Sequence, residues 1–179
     1  MEYFMAHLPF DPNQLDPKNK LIYDKMVAER KSHDAPFDGP YAALMNHPAL
    51  CQKIEALGSY LKFQGHLSRN IYQFVVLAVA QYTKSIFEWD DHLEHAIAAC
   101  VPKTIINTLK THGISNQVYP APYHLAAQVL DAALCWKNIP DRVQTDAINA
   151  YGMEGYVELV VLAGFYQMFS AINQGFNIS

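Results

Sequence analysis

Leu67–His92, LSRNIYQFVVLAVAQYTKSIFEWDDH, decides how the rest of the chain is read. Its apolar part, Ile71 to Ala80, is rich in Val, Ile and Phe, a composition that also suits a strand. Helix is favoured because Arg69, Asn70, Gln73, Gln81 and Lys84 gather mainly at its ends and no turn signal interrupts it. A helix apolar on every side is a buried one, so this segment is predicted to form a core rod, with Ser68 at its cap. Thr83-Lys84-Ser85 then bends the chain into a second helix. That helix carries the polar cluster Ser85, Glu88, Asp90, Asp91 and His92 and continues to Cys100.

Glu88 and His92 are four residues apart and share a helical face. A carboxylate beside an imidazole raises the imidazole pKa and orients the ring, while burial pushes a carboxyl pKa upward. Such a pair moves protons near neutral pH. A structural alternative uses the same residues. Ser85-Ile-Phe-Glu88 fits a capping box, in which Glu88 reaches back to the Ser85 backbone and His92 is an ordinary neighbour on the next turn.

Around this stretch lie 179 residues, 51% apolar and only 17% charged, enough for one domain that buries much surface, some of it against other subunits. A net charge of −4 without a basic run argues against nucleic acid or an anionic membrane as partner. The start, MEYFMAHLPFDP, is not a signal peptide, and no run of eighteen apolar residues predicts a membrane span. Cys51, Cys100 and Cys135 form no C-x-x-C, which fits reduced thiols in a cytoplasm.

Residues 1–18, with Pro9, Pro12 and Pro17, are predicted as an extended arm whose Tyr3, Phe4 and Phe10 pack on the body. Helices follow over Lys18 to Ser32 and, after a break at His33 to Pro40, over Tyr41 to Met45. Asn46 or His47 caps the next one and Pro48 suits its first turn; Leu50, Ile54, Leu57 and Leu61 line one face, and Gly65 is expected as a left-handed cap. Beyond Cys100, helices are predicted from Pro102 through Lys110, from Tyr123 to Trp136 with Trp136 on the apolar stripe, from Pro140 to Tyr151, and from Met153 to Phe169 or further. Gly152 separates the last two, and a loop covers Ser115 to Pro122. The string Gln73-Phe-Val-Val-Leu-Ala is echoed by Glu158-Leu-Val-Val-Leu-Ala, and the second copy continues to Tyr166. Two related rods in the core are expected, with no counterpart of Glu88 and His92 on the second.

Glu88-Trp89-Asp90-Asp91-His92, Gly39-Pro40-Tyr41-Ala42-Ala43-Leu44-Met45 with His47-Pro48, and Glu158 to Tyr166 together resemble the carboxymuconolactone decarboxylase family, which includes the alkylhydroperoxidase AhpD. The resemblance spans residues about 39 to 175 and is to a cysteine-free, decarboxylase-like branch. It implies an all-α, AhpD-like domain of orthogonal helices around two buried apolar helices, assembled as a homo-oligomer, a trimer or hexamer. The peroxidase frame C-x-x-C-x-x-x-H falls on Ser85, Glu88 and His92, with Gln73 where that branch has a glutamate. A hydroxyl forms no disulfide, Glu88 resolves nothing and an amide carries no proton near neutral pH, so thiol peroxidase chemistry is not expected.

The expected function is therefore cofactor-free proton transfer, decarboxylation or isomerisation, on a small organic acid or lactone. His92 is the candidate acid/base, Glu88 orients it or shares the proton, and Ser85 completes the catalytic set. Gln73, the Trp89 N–H and Lys84 are the candidate substrate-binding groups. An acidic substrate wants cationic clamps, and Arg69 is sixteen residues from Ser85. Glu88, Asp91, His92 and His95 lie at metal-ligand spacing on one face, but a solvated acidic face explains them equally, and no metal or cofactor is expected. A helical scaffold that has lost its reaction is the rival outcome.

Overall fold

A computed structural model describes residue 8 and residues 10–32, 39–115 and 119–178. Among these the chain is all-α. Its helices are α1 (Pro17–Ser32), α2 (Gly39–Leu44), α3 (Pro48–Phe63), α4 (Arg69–Thr83), α5 (Ile86–Ala98), α6 (Lys103–His112), α7 (Tyr123–Leu134) and α8 (Asp141–Gly175), preceded by a 3-10 turn at Pro12–Gln14. Tyr3 and Phe4 of the predicted arm, and residues 33–38 and 116–118 of the two predicted loops, lie outside the described residues. Phe10 does pack on the body, its ring centroid 5.3 Å from that of Tyr23.

α4 is the predicted rod. Every residue from Ile71 to Ala80 is buried, and α5, α6, α7 and α8 all pack against it. Burying each large side chain here contributes about 1.5–3 kcal/mol, so the rod is also the main source of cohesion. The hydrophobic core gathers around it. The Phe74 ring meets Tyr119 and Tyr123 at 5.3 and 5.1 Å, and Leu109, Leu130, Leu159 and Leu162 are fully enclosed.

Local chemistry sets the ends of these helices. α3 begins where His47 accepts from Leu50 N–H at 3.3 Å with Pro48 in the first turn, as its sequence predicts. α4 ends at Lys84, whose left-handed backbone (φ 61°) sends its N–H to Ala80 O and Gln81 O, and the chain turns at once into α5. Ser68 and Ser85 do occupy the cap positions of α4 and α5, but neither makes a side-chain cap bond. The Ser68 hydroxyl bonds Asn70 instead. Just ahead of α4, the Glu158 carboxylate reaches across from α8 and accepts from the backbone N–H of His66 (2.6 Å) and Leu67 (3.2 Å).

Two expectations are corrected. Gly65 does not adopt the left-handed cap; a Cβ there would sit 2.8 Å from Glu158 Oε2, so close approach is what requires glycine. Trp136 is 88% exposed, because the chain leaves α7 at Leu134 and turns through a positive φ of 55° at Trp136.

The break at Gly152 is observed: helical geometry is interrupted there by φ 76°, ψ 169°, dividing α8 into limbs 141–151 and 153–175. By length and composition α8 is apolar enough to cross a membrane, which the uninterrupted-run test on the sequence did not anticipate. Half of its most apolar stretch is buried inside the protein, as in a core helix. The other side leaves Met153, Val157, Val160 and Val161 exposed, and on α3 Leu57, Tyr60 and Phe63 are exposed as well. The two helices are held together where Gly58 faces Phe165 and Gly65 faces Glu158.

The Gly152 conformation is essentially confined to glycine, yet nothing lies within 4 Å of where a Cβ would be. Gly152→Ala therefore isolates backbone strain from packing, and chemical denaturation is expected to show a loss of about 1–3 kcal/mol. An unchanged midpoint would mean that the two limbs meet in a different geometry.

Candidate functional site

Three helices build one buried polar cluster. α4 supplies Tyr72 and Gln73, α5 supplies Glu88 and His92, and α8 supplies Tyr166 and Asn173; all six side chains are buried. α4 delivers Gln73 to the centre because it is enclosed on every side, so its one mid-helix amide needs a partner inside the protein. That partner is His92. Its Nδ1 lies 2.9 Å from Gln73 Oε1 and donates to it in this amide orientation. Nε2 is then the acceptor, 3.1 Å from the Tyr166 hydroxyl, which in turn is 2.8 Å from the Tyr72 hydroxyl. The chain runs Tyr72, Tyr166, His92, Gln73, with each hydroxyl donating toward the ring.

Glu88 stands beside this chain. Its Oε1 accepts from Asn173 Nδ2 at 2.7 Å, and the same amide lies 3.5 Å from Ser85 Oγ. Its Oε2 is 4.0 Å from His92 Nε2. Glu88 thus bonds across to α8 rather than closing a box with Ser85, whose cap is unmade. Of the predicted site residues, Gln73, Ser85, Glu88 and His92 converge. Trp89 is buried, but its Nε1 has no hydrogen-bond partner among the described residues, and Lys110 lies over its ring at 5.9 Å. Lys84 is exposed and caps α4; among the described residues no contact links its ammonium group to the cluster.

Burial dictates the electrostatics. The sequence-based expectation that Glu88 raises the His92 pKa is not met. Burial, reinforced by the positive charges of Lys62, His95 and Arg69, pushes His92 down from 6.5 to about 3. A carboxyl group 4.0 Å away does not overcome that, and the close approaches of Glu88 and Asp91 to Nε2 are contacts with a neutral ring. Burial pushes Glu88 up from 4.5 to about 7, against the Asn173 hydrogen bond and with help from Asp91. Near neutral pH it is Glu88 that exchanges a proton, while Tyr166 is held well above the ordinary phenol range by its burial.

Tyr72, Tyr166 and Asn173 are the members the sequence did not single out for this role. One signal was present: the echo of the rod runs on to Tyr166, and Asn173 follows seven residues later on the same helical face. Among the described residues, no three His, Cys, Asp or Glu side chains come together as a metal-binding group. A shallow, open hollow of about 270 Å³ lies elsewhere, lined by Phe10, Asp11, Gln14, Leu15 and Asn46. Comparison with protein-family models, with curated proteins and with solved structures gave no match to this chain.

The pKa of Glu88 has a signed consequence. Its folded value lies above the unfolded one, so the stabilisation it provides is complete below about 4.5 and is lost as pH rises through about 7. His92 acts oppositely: its contribution is present above 6.5 and is lost as pH falls toward 3. His92 regains part of its contribution over the same range in both proteins, so the comparison isolates Glu88: from pH 6 to 8 the wild-type chain is expected to lose roughly 1 kcal/mol relative to Glu88→Gln. Parallel stability curves for the two proteins would show that Glu88 does not titrate there.

Proposed function

We propose that this chain is a carboxymuconolactone decarboxylase-like enzyme of AhpD-like architecture, which carries out cofactor-free decarboxylation or isomerisation of a small organic acid or lactone. The observation that supports this best is a buried carboxyl group, Glu88, poised near pH 7 beside a neutral imidazole and a pair of linked hydroxyls. A general acid/base works best when its pKa lies near the working pH, and Glu88 meets that condition where His92 does not. Glu88 is thus the proton donor and acceptor. In a decarboxylation the C–C bond breaks, CO2 leaves, its electron pair stays on the substrate carbon and Glu88 protonates that carbon. His92, fixed by Gln73 and Tyr166, presents a neutral ring, and the Trp89 N–H, which has no partner among the described residues, is the donor for developing negative charge.

A second reading, a non-catalytic scaffold, has its own support: both His92 nitrogens and one Glu88 oxygen are already engaged within the protein. Solvent-proton exchange separates the two. In D2O, proton NMR of a panel of small lactone acids and unsaturated carboxylic acids is expected to show deuterium incorporation or CO2 loss in the presence of the wild-type chain. The rate should follow a group titrating near pH 7, and Glu88→Gln should lower it by roughly 10²–10⁴-fold. Equal rates for the wild type and Glu88→Gln would leave the scaffold reading standing.

The same proposal includes a cytoplasmic homo-oligomer, a trimer or hexamer. The exposed apolar side chains of α3 and α8, Leu57, Tyr60 and Phe63 on the one and Val157, Val160 and Val161 on the other, support it. Light scattering of the eluting protein is expected to give a multiple of 20.2 kDa, with Val161→Lys shifting it toward the monomer. A wild-type chain that is monomeric at micromolar concentration would refute the assembly.

A further inference from the structure

An acidic substrate needs cations, and Lys84, the one that the sequence suggested, is exposed and makes no contact with the cluster among the described residues. The fold supplies two. Arg69, at the start of α4, stacks its guanidinium over the Tyr72 ring at 5.0 Å, on the residue that begins the hydroxyl chain to His92. The same guanidinium donates from Nη1 to the backbone carbonyl of Lys62 at 2.7 Å, tying the end of α3 to the start of α4, while the Lys62 ammonium lies over the Phe63 ring at 5.5 Å. Arg69 is exposed and Lys62 half-buried. Among the described residues neither reaches a carboxylate within ion-pair distance.

Like charges held together without a counter-ion repel one another, and Lys62 carries the mark of it. Its pKa is lowered by burial first and by Arg69 second, with Asp91 acting the other way. Both cations also bear on the buried ring, since they help to hold the His92 pKa down. The remaining charged neighbours are Asp91, 55% exposed with its Oδ2 3.6 Å from His92 Nε2, and His95, whose ring lies 5.8 Å from that of His92. The carboxylates nearest the ring are Asp91 and the buried Glu88, and neither pairs with Lys62 or Arg69.

We infer that Lys62 and Arg69 form the receptor for the carboxylate of an anionic small-molecule substrate, at the mouth of the Tyr72–Tyr166–His92 chain. The inference rests on the proton-transfer reading for its meaning as a substrate site, but not for the binding itself. A bound carboxylate supplies the missing counter-charge and accepts hydrogen bonds from guanidinium and ammonium together, the geometry in which Arg in particular recognises carboxylates. It also places a small acid at the Tyr72 end of the chain, where the Arg69 guanidinium lies, rather than at Lys84, the cation that the sequence suggested.

The probe is succinate, with uncharged succinamide as its control, titrated calorimetrically at low ionic strength and pH 7. The wild-type chain is expected to bind succinate and not succinamide. Lys62→Gln and Arg69→Gln should each weaken binding by about tenfold, the loss expected for one charge-assisted hydrogen bond, and the double variant should abolish it. Arg69→Lys should restore part of it, and circular dichroism confirms that each variant is folded. Lys84→Gln, at an exposed cation with no contact to the cluster among the described residues, should bind succinate as the wild type does. If the double variant binds succinate undiminished, or the wild type does not prefer succinate to succinamide, the receptor is not at Lys62 and Arg69. Succinate binding that depends on both cations, in a protein without exchange activity, would uphold the receptor while removing the proton-transfer reading.

Discussion

A helix enclosed on all sides must find every polar partner inside the protein. α4 imposes that constraint here. Its ten central residues see no solvent, and nine of them are content with apolar neighbours or, for Tyr72, with one hydroxyl contact. Gln73 is the exception. An amide at 0% exposure without a partner costs a few kcal/mol by desolvation alone; the bond from His92 satisfies its Oε1, while its Nε2 has no partner among the described residues. The imidazole in turn needs a partner for its other nitrogen, which Tyr166 provides, and Tyr166 finds Tyr72 back on α4. Three helices are registered against one another by a single line of hydrogen bonds. The cluster is therefore part of the core.

Enclosure also reverses the roles of the acid and the imidazole. In water, a carboxylate beside a histidine makes the pair titrate as an anion and a cation. In this core neither charge is welcome, and both pKa values move toward the neutral forms, Glu88 upward to about 7 and His92 downward to about 3. The histidine becomes a hydrogen-bonding fixture and the glutamate becomes the proton carrier. Lys62 and Arg69 add to this, because their positive charge opposes a second cation on the ring and would welcome an anion outside it.

The helical framework was well marked in the chain. The all-apolar run 71–80 announced a buried rod, His47-Pro48 marked a helix start, and Gly152 marked the break that backbone angles show. Errors came where a local rule met a distant neighbour. Gly65 looks like a helix stop, yet it is required because Glu158 passes within contact of it, 93 residues further along. Trp136 continues the apolar stripe of α7 in sequence, but the helix ends two residues earlier and the ring swings out. The capping box at Ser85–Glu88 has the right letters, yet Asn173 claims the carboxylate.

Residue order alone determined that this chain would be helical, that one helix would lie wholly inside, and that an acid and an imidazole would project from one face of the next. Those properties follow from periodicity and from the hydrophobic effect, which act along short stretches. Only the tertiary structure decided what that acid and imidazole would meet. Tyr166 and Asn173 come from α8, and Lys62 and Arg69 gather at the turn between α3 and α4. Partners so far apart in the chain leave no local pattern, and the pKa of a buried group is set by what surrounds it, not by what precedes it.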